Sequence, residues 1–210
     1  MHLEETAAPI GCIPGEGGPL PGRFDPSIPD PAHPREPEAT PDLKIAIVPS
    51  ALSPLARRPG APLPMTRIDF YSLEPDSPGD RFLLTCRLAE RARAEGLRVL
   101  IHCPDPDLAR HLDRLLWTYR QDGFLPHGLV GPANPTLDLD LTPVLISLDG
   151  SPEGEDQVLI NLALEVPSFF SRFERVCEPI DQNSDVRSAG RERFRYYRDR
   201  GYPLEHHRLK

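Results

Sequence analysis

A three-layer α/β fold, with helices on both faces of a mostly parallel, Rossmann-like sheet, follows from three observations in this 210-residue sequence. Short apolar runs, partly β-branched, recur at 97–103, 144–148 and 158–162, the first two bounded by Gly, Pro or Asp and the third preceded by a polar break, as buried strands are. Between or beside them lie segments whose apolar residues follow the helical period. Strand and helix alternate in βαβα order, the pattern of a parallel sheet. Such a sheet is a scaffold, so function has to be argued from what is mounted on it.

The elements come after a long preamble. More than half of the 27 prolines precede Met65, in runs such as Pro-Gly-Glu-Gly-Gly-Pro and Pro-Arg-Glu-Pro-Glu. Residues 1–64 therefore read as a disordered Pro/Gly-rich extension that cannot bury enough apolar surface to offset its ordering entropy. Within it only Leu43 to Val48 has the composition of an edge strand, the alternative being a transiently extended piece between prolines. Residues 65–210 form the α/β domain, large enough for a real core. Met65, directly before the first strand, also offers a second start of translation.

The first strand, Arg67 to Leu73, alternates loosely and ends at a turn rich in helix caps, Glu74 to Asp80. Helix one runs from about Asp80 to Glu95, with Phe82, Leu83, Cys86 and Ala89 on its inner face and Gly96 as its C-terminal cap. Leu97 to Cys103 is the next strand, stopped by Pro104. Helix two, about Asp105 to Tyr119, puts Leu108, Leu112, Leu115 and Leu116 on one side. Trp117, Phe124, Leu125 and Pro126 then gather on a turn, where they form either a local plug over the core or an exposed binding patch. Residues 132–142 read as loop, and 144–148 and 158–162 as central strands. A short helical turn at 168–172 brings Phe169, Phe170 and Phe173 over one sheet edge. Arg175 to Ile180 is a peripheral strand on account of Pro179.

Several function classes fall away. Net charge is −8, against nucleic acid gripped by the molecule as a whole. Cys12, Cys86, Cys103 and Cys177 lack metal-site or disulfide-framework spacing, so no metal and no cofactor is expected and a reducing cytoplasm fits. Glu4 and Glu5 stand where a secretory signal carries basic residues, and no apolar run approaches the roughly 20 residues of a membrane span. The first strand-to-helix turn holds one glycine and several acids, so it would repel a phosphate. Asp76 with Asp80, and Asp105 with Asp107, are better helix starts than catalytic pairs. His102 and His127 have no nucleophile motif to serve, and His206-His207 reads as a solvated tail.

The last helix, Asp185 to Arg200, is the most informative. Residues 185–210 hold eight Lys/Arg against four Asp/Glu in an otherwise acidic chain. Arg187, Arg191, Arg195 and Arg198 make one stripe, flanked by Val186, Gly190, Phe194 and Tyr197. A cationic slot walled by an aromatic suits an acidic peptide ending in a hydrophobic residue. One buried ring at about 1.5 to 3 kcal/mol and two charge-assisted bonds at about 1.5 to 3 each are consistent with a dissociation constant on the order of micromolar after association costs. Direct single-stranded DNA binding by stacking is a second use of the same residues, disfavoured by the overall acidity. A small nucleotide-binding or hydrolytic enzyme is the competing class.

From Met65 to about Leu209 the sequence resembles the chi subunit family of the bacterial DNA polymerase III holoenzyme. The likeness runs through Arg67-Ile68-Asp69-Phe70-Tyr71, Arg98-Val99-Leu100-Ile101, Leu112-Asp113-Arg114-Leu115-Leu116-Trp117, Phe124-Leu125-Pro126-His127, Val158-Leu159-Ile160-Asn161-Leu162 and Gly190 to Arg198. The resemblance implies a non-catalytic adaptor of the clamp-loader complex. It would bind the acidic C-terminal tail of single-stranded DNA-binding protein at Arg191, Phe194, Arg195 and Arg198, and so meet DNA indirectly. A second surface, Trp117, Phe124, Leu125 and Pro126, would receive the psi subunit or a helicase. The family often carries Tyr and Lys where this sequence has Phe194 and Arg195, so a hydroxyl contact is lost while the charge remains. The extension before Met65 has no counterpart.

Overall fold

The structure, a computed structural model, describes residues 65–210 apart from 122, 132–136, 151 and 153. The extension 1–64, with its candidate strand at 43–48, lies outside the described residues. The elements in chain order are β1 (Arg67–Leu73), α1 (Arg81–Ala94), β2 (Val99–His102), α2 (Pro106–Thr118), β3 (His127–Val130), β4 (Val144–Ser147), β5 (Val158–Asn161), a 3₁₀ turn (Phe170–Arg172), β6 (Arg175–Ile180), α3 (Ser184–Asp199) and β7 (Leu204–Leu209). The seven strands form one sheet in the order β3-β4-β2-β5-β6-β1-β7, parallel throughout.

Two-residue alternation along the strands assigns each side chain to a layer. Val99 and Ile101 of β2, Val144 and Ile146 of β4, and Val158 and Ile160 of β5 pack with α1 and α2 through Leu84, Cys86, Leu88, Leu112 and Leu116. Leu100, Leu145 and Leu159, the residues between them, face the other way, onto Phe170, Phe173, Val186 and Tyr197. Both faces are covered, which is why these strands read as unbroken apolar runs. Each fully buried Leu or Ile contributes about 1.5 to 3 kcal/mol.

The helix ends follow local chemistry. Asp80 accepts from the N–H groups of Phe82 and Leu83 at 3.0 and 2.9 Å, and Asp105 does the same for Asp107 and Leu108 at 2.8 and 3.1 Å with Pro106 in the first turn. Each such cap is worth about 0.5 to 2 kcal/mol. At its far end α1 closes on Gly96 at φ +80°, with Gly96 N–H donating to Arg93 O and Leu97 N–H to Ala92 O. The end of α3 repeats this on Gly201 at φ +77°, with Tyr202 N–H donating to Tyr197 O. That reversal turns the chain back and feeds β7 onto the edge of the sheet.

Four expectations are corrected. His206-His207 is not a solvated tail but part of β7, paired in parallel with β1; its alternating polar residues hid a strand whose partner is far away in sequence. β3, too, forms where a turn was expected, and among the described residues it pairs with β4 alone. β6 is interior, between β5 and β1. Arg175 N–H donates toward β5, to Gln157 O, so the nitrogen of Pro179 points the same way, past the last β5 pair, Ile160 with Cys177. Its missing N–H therefore breaks no ladder bond. Finally, Phe170 and Phe173 cover a face of the sheet rather than an edge.

Cys86, Cys103 and Cys177 are buried free thiols, and burial pushes them up to about 12, 11 and 12. They are core residues, not nucleophiles. Among the described residues no helix is long and apolar enough to cross a membrane.

Candidate functional site

The three sides of α3 have three environments. Val186, Gly190, Arg193 and Tyr197 are buried against the sheet. Asn183 starts the helix by accepting from Asp185 and Val186 N–H at 2.9 and 3.3 Å. Arg193, on the buried side, donates from Nε to Glu178 at 2.9 Å and from Nη1 to Leu164 O at 2.8 Å. Glu178 also accepts from Tyr197 OH at 3.0 Å and Asn161 Nδ2 at 3.1 Å. Burial pushes the Glu178 carboxyl up, against the opposing pull of Arg193 and these donors. Burial and the adjacent carboxylate push the Tyr197 hydroxyl above its ordinary value, so it remains a donor. A closed ion-pair network thus seats α3 on β5 and β6.

Beside this seat is a cavity of about 640 Å³, lined by Phe70 and Ser72 of β1, Ile180 of β6, His206 of β7 and, from α3, Arg187, Gly190, Arg191, Phe194 and Arg195. Its floor is apolar: Phe194 meets Phe70 edge-on at 5.3 Å between centroids. Gly190 lets the helix approach, since a Cβ there would come within 2.7 Å of Ile180 Cδ1. The rim is cationic. Arg187 donates to Gln182 at 2.9 Å. Arg191 and Arg195 are exposed and, among the described residues, have no hydrogen-bonding or ion-pair partner. Among the described residues, no acid lines the cavity. Such an arrangement can hold a carboxylate at the rim and an apolar side chain below it.

Of the four sequence-predicted residues of this site, Arg191, Phe194 and Arg195 come together, while Arg198 stands apart, exposed and paired with Asp199 at 2.9 Å. Arg187 and Gly190 were legible in the helical stripe but carried no assignment. Phe70, Ser72, Ile180 and His206 gave no signal, because only strand pairing brings them under the helix.

The second predicted surface lies at the end of α2, on the opposite layer. Trp117 is 55% exposed and Phe124 71%, their centroids 5.6 Å apart. They form an exposed patch and not a plug. His127 braces the patch: its ring nitrogens lie 2.7 Å from Leu125 O and 3.1 Å from Asp113 O, and its ring is 4.8 Å from Trp117. Pro126 is half-buried. Leu125 is buried, so it supports the patch from beneath rather than presenting its side chain.

Other candidates resolve into structure. Asp69, Glu205 and His207 offer ligand atoms close together, as a metal site would. Yet Arg175 donates to Asp69 at 2.6 Å, and Arg67 lies 3.1 Å from Asp69 and 2.6 Å from Glu205. Two guanidiniums already stand where a cation would, and His207 stacks on Tyr71 at 4.6 Å. The donor set is an ion-pair network that fastens β7. In the turn after β1, Glu74 N–H donates to Leu209 O at 2.8 Å and Ser77 Oγ to the same oxygen at 2.6 Å, so these donors seam β7 to the sheet. His102 sits edge-on to Phe169 at 5.2 Å, and its burial lowers its pKa.

Comparison with known proteins places this architecture. The family model described as "DNA polymerase III chi subunit, HolC" matches residues 65–205. The DNA polymerase III subunit chi of Pseudomonas aeruginosa is 41% identical over 145 residues, covering 69% of this chain and 98% of the relative. The chi subunits of Haemophilus influenzae and Escherichia coli are 30% and 29% identical, covering 58% and 67% of this chain and 82% and 96% of theirs. Among solved structures, T4 UvsW aligns at a TM-score of 0.50 and 8% identity, covering 68% of this chain and 41% of that one. That last likeness shows the fold alone.

Proposed function

The chain belongs to the DNA polymerase III chi subunit family, a replication subunit, and we propose that it acts there as a non-catalytic adaptor linking the clamp-loader complex to single-stranded DNA-binding protein. The α3 cavity receives the acidic, apolar-ended C-terminal tail of that protein. Arg191 and Arg195 take its carboxylates, and Phe194 with Phe70 walls the pocket for its last side chain. One observation carries this reading: among the described residues, two unpaired guanidiniums flank an apolar cavity that no acid lines. Charges left unpaired beside a ready-made pocket favour an anionic ligand with an apolar end.

The Trp117–Phe124 patch serves as the surface for a second protein, the psi subunit or a helicase. Exposed aromatics on a braced turn have the makings of an interface hot spot. These roles fall to residues 65–210, with 1–64 as a separate extension, and the adaptor works in the cytoplasm.

The test is fluorescence anisotropy with a labelled synthetic peptide carrying the C-terminal tail sequence of single-stranded DNA-binding protein. Wild type should bind on the order of micromolar, and added salt should weaken it. Arg191→Glu and Arg195→Glu should each lose ten-fold or more, the ~1.5–3 kcal/mol of a charge-assisted bond. Unchanged affinity in both variants rejects the site.

A further inference from the structure

Ser72 and His206 close the cavity on the side away from α3, hydrogen-bonded to each other at 2.9 Å through His206 Nε2. Among the described residues, Nδ1 of His206 has no hydrogen-bond partner. The charged groups around this imidazole are of one sign. From α3, Arg187, Arg191 and Arg195 line the same cavity. On its own strand Arg208 and His207 are neighbours, while Glu205 is turned to Arg67 at 2.6 Å. β1 brings the Ser72 hydroxyl and Phe70, and β6 brings Ile180.

Resting on the reading above, we propose that His206 is a ligand-contact residue that takes up a proton when an acidic peptide enters the cavity, becoming a fourth cation beside Arg187, Arg191 and Arg195. An exposed imidazole that is partly desolvated and set among cations holds its charge poorly, and desolvation followed by Arg208 and His207 lowers its pKa. It is therefore neutral in the empty cavity at pH 7. A carboxylate seated against the arginines reverses the local field and favours the imidazolium. The sign follows by linkage. Because binding raises the pKa of this histidine, affinity rises as pH falls through the bound-state pKa and levels off below the free-state one. Above both values the contribution is absent. Ser72 fits either state, since its hydroxyl can donate to Nε2 or accept from it.

The experiment is isothermal titration of the full chain with an N-acetylated acidic peptide ending in Phe, at pH 7 in phosphate and in Tris. Acetylation removes the peptide's amine from the titrating range. Wild type should show a buffer-dependent heat equal to a fractional proton taken up, and affinity should tighten about two- to five-fold between pH 8 and pH 5.5, the scale of a partly exposed ion pair. His206→Gln should still bind but lose both the proton uptake and the pH slope. His206→Arg should bind with the tight affinity at every pH in that range, which a merely structural role would not produce. Identical buffer-independent heats in wild type and His206→Gln overturn this inference while leaving the tail site standing. Failure of the peptide to bind wild type at any pH removes the underlying reading as well.

Discussion

Arg193 and Arg195 stand two residues apart on α3 and have opposite fates. Two steps of an α-helix rotate a side chain by roughly 200°, so if one faces the sheet the other faces water. Arg193 is 3% exposed, caged by Glu178, Leu164 O and the neighbouring Tyr197. Arg195 lies on the rim of the cavity and lacks a partner among the described residues. The same side chain thus serves structure in one case and leaves binding capacity unspent in the other. Satisfied charge holds a fold together, whereas unsatisfied charge beside a hollow is available to a ligand.

Substitutions at the two positions should separate stability from recognition. The largest effect is expected at the buried pair: Arg193→Leu leaves Glu178 without its counter-ion and should cost about 3 to 5 kcal/mol, read as a lowered urea midpoint. Arg195→Glu should leave the unfolding free energy within about 0.5 kcal/mol of wild type while weakening tail-peptide binding ten-fold or more. If Arg195→Glu unfolds the protein instead, the division of labour along α3 is wrong. Phe124→Ala, at the other surface, should leave folding and tail binding intact and weaken a second protein partner by about 1 to 2 kcal/mol or more, measured by pull-down and titration. A large loss of stability there would make Phe124 a core residue. The smallest effect is expected at Arg198→Ala, whose side chain is committed to Asp199 away from the cavity: peptide affinity should change less than about two-fold, the scale of an exposed ion pair.

The contrast between the two surfaces also marks how far sequence could reach. The stripe Arg191, Phe194 and Arg195 lies within one helix, so helical spacing alone placed these residues together. Trp117 and Phe124 were legible as unusual, but spacing could not say whether they plugged the core or faced solvent. That depends on what packs above them, and nothing in the described residues does. Arg193 was hidden for a related reason. Nothing in the local pattern distinguishes an arginine aimed at a buried glutamate from its solvated neighbours.

By itself the sequence determined what is local: the caps at Asp80 and Asp105, the reversal at Gly96, the helical faces, and the short apolar strands that made a parallel sheet necessary. Tertiary structure alone decided which strands are neighbours. It moved β6 from the periphery to the interior and made an edge strand of Leu204–Leu209. It also brought Phe70 and Ser72 of β1, more than a hundred residues away in the chain, to the cavity beneath α3, beside Ile180 and His206 of the strands that precede and follow that helix. Capping and periodicity act within a few residues along the backbone, while strand pairing joins segments more than a hundred residues apart through hydrogen bonds that carry little side-chain signature. The arginines could be read from one stretch of sequence, but the cavity that gives them a use exists only where four separate segments meet.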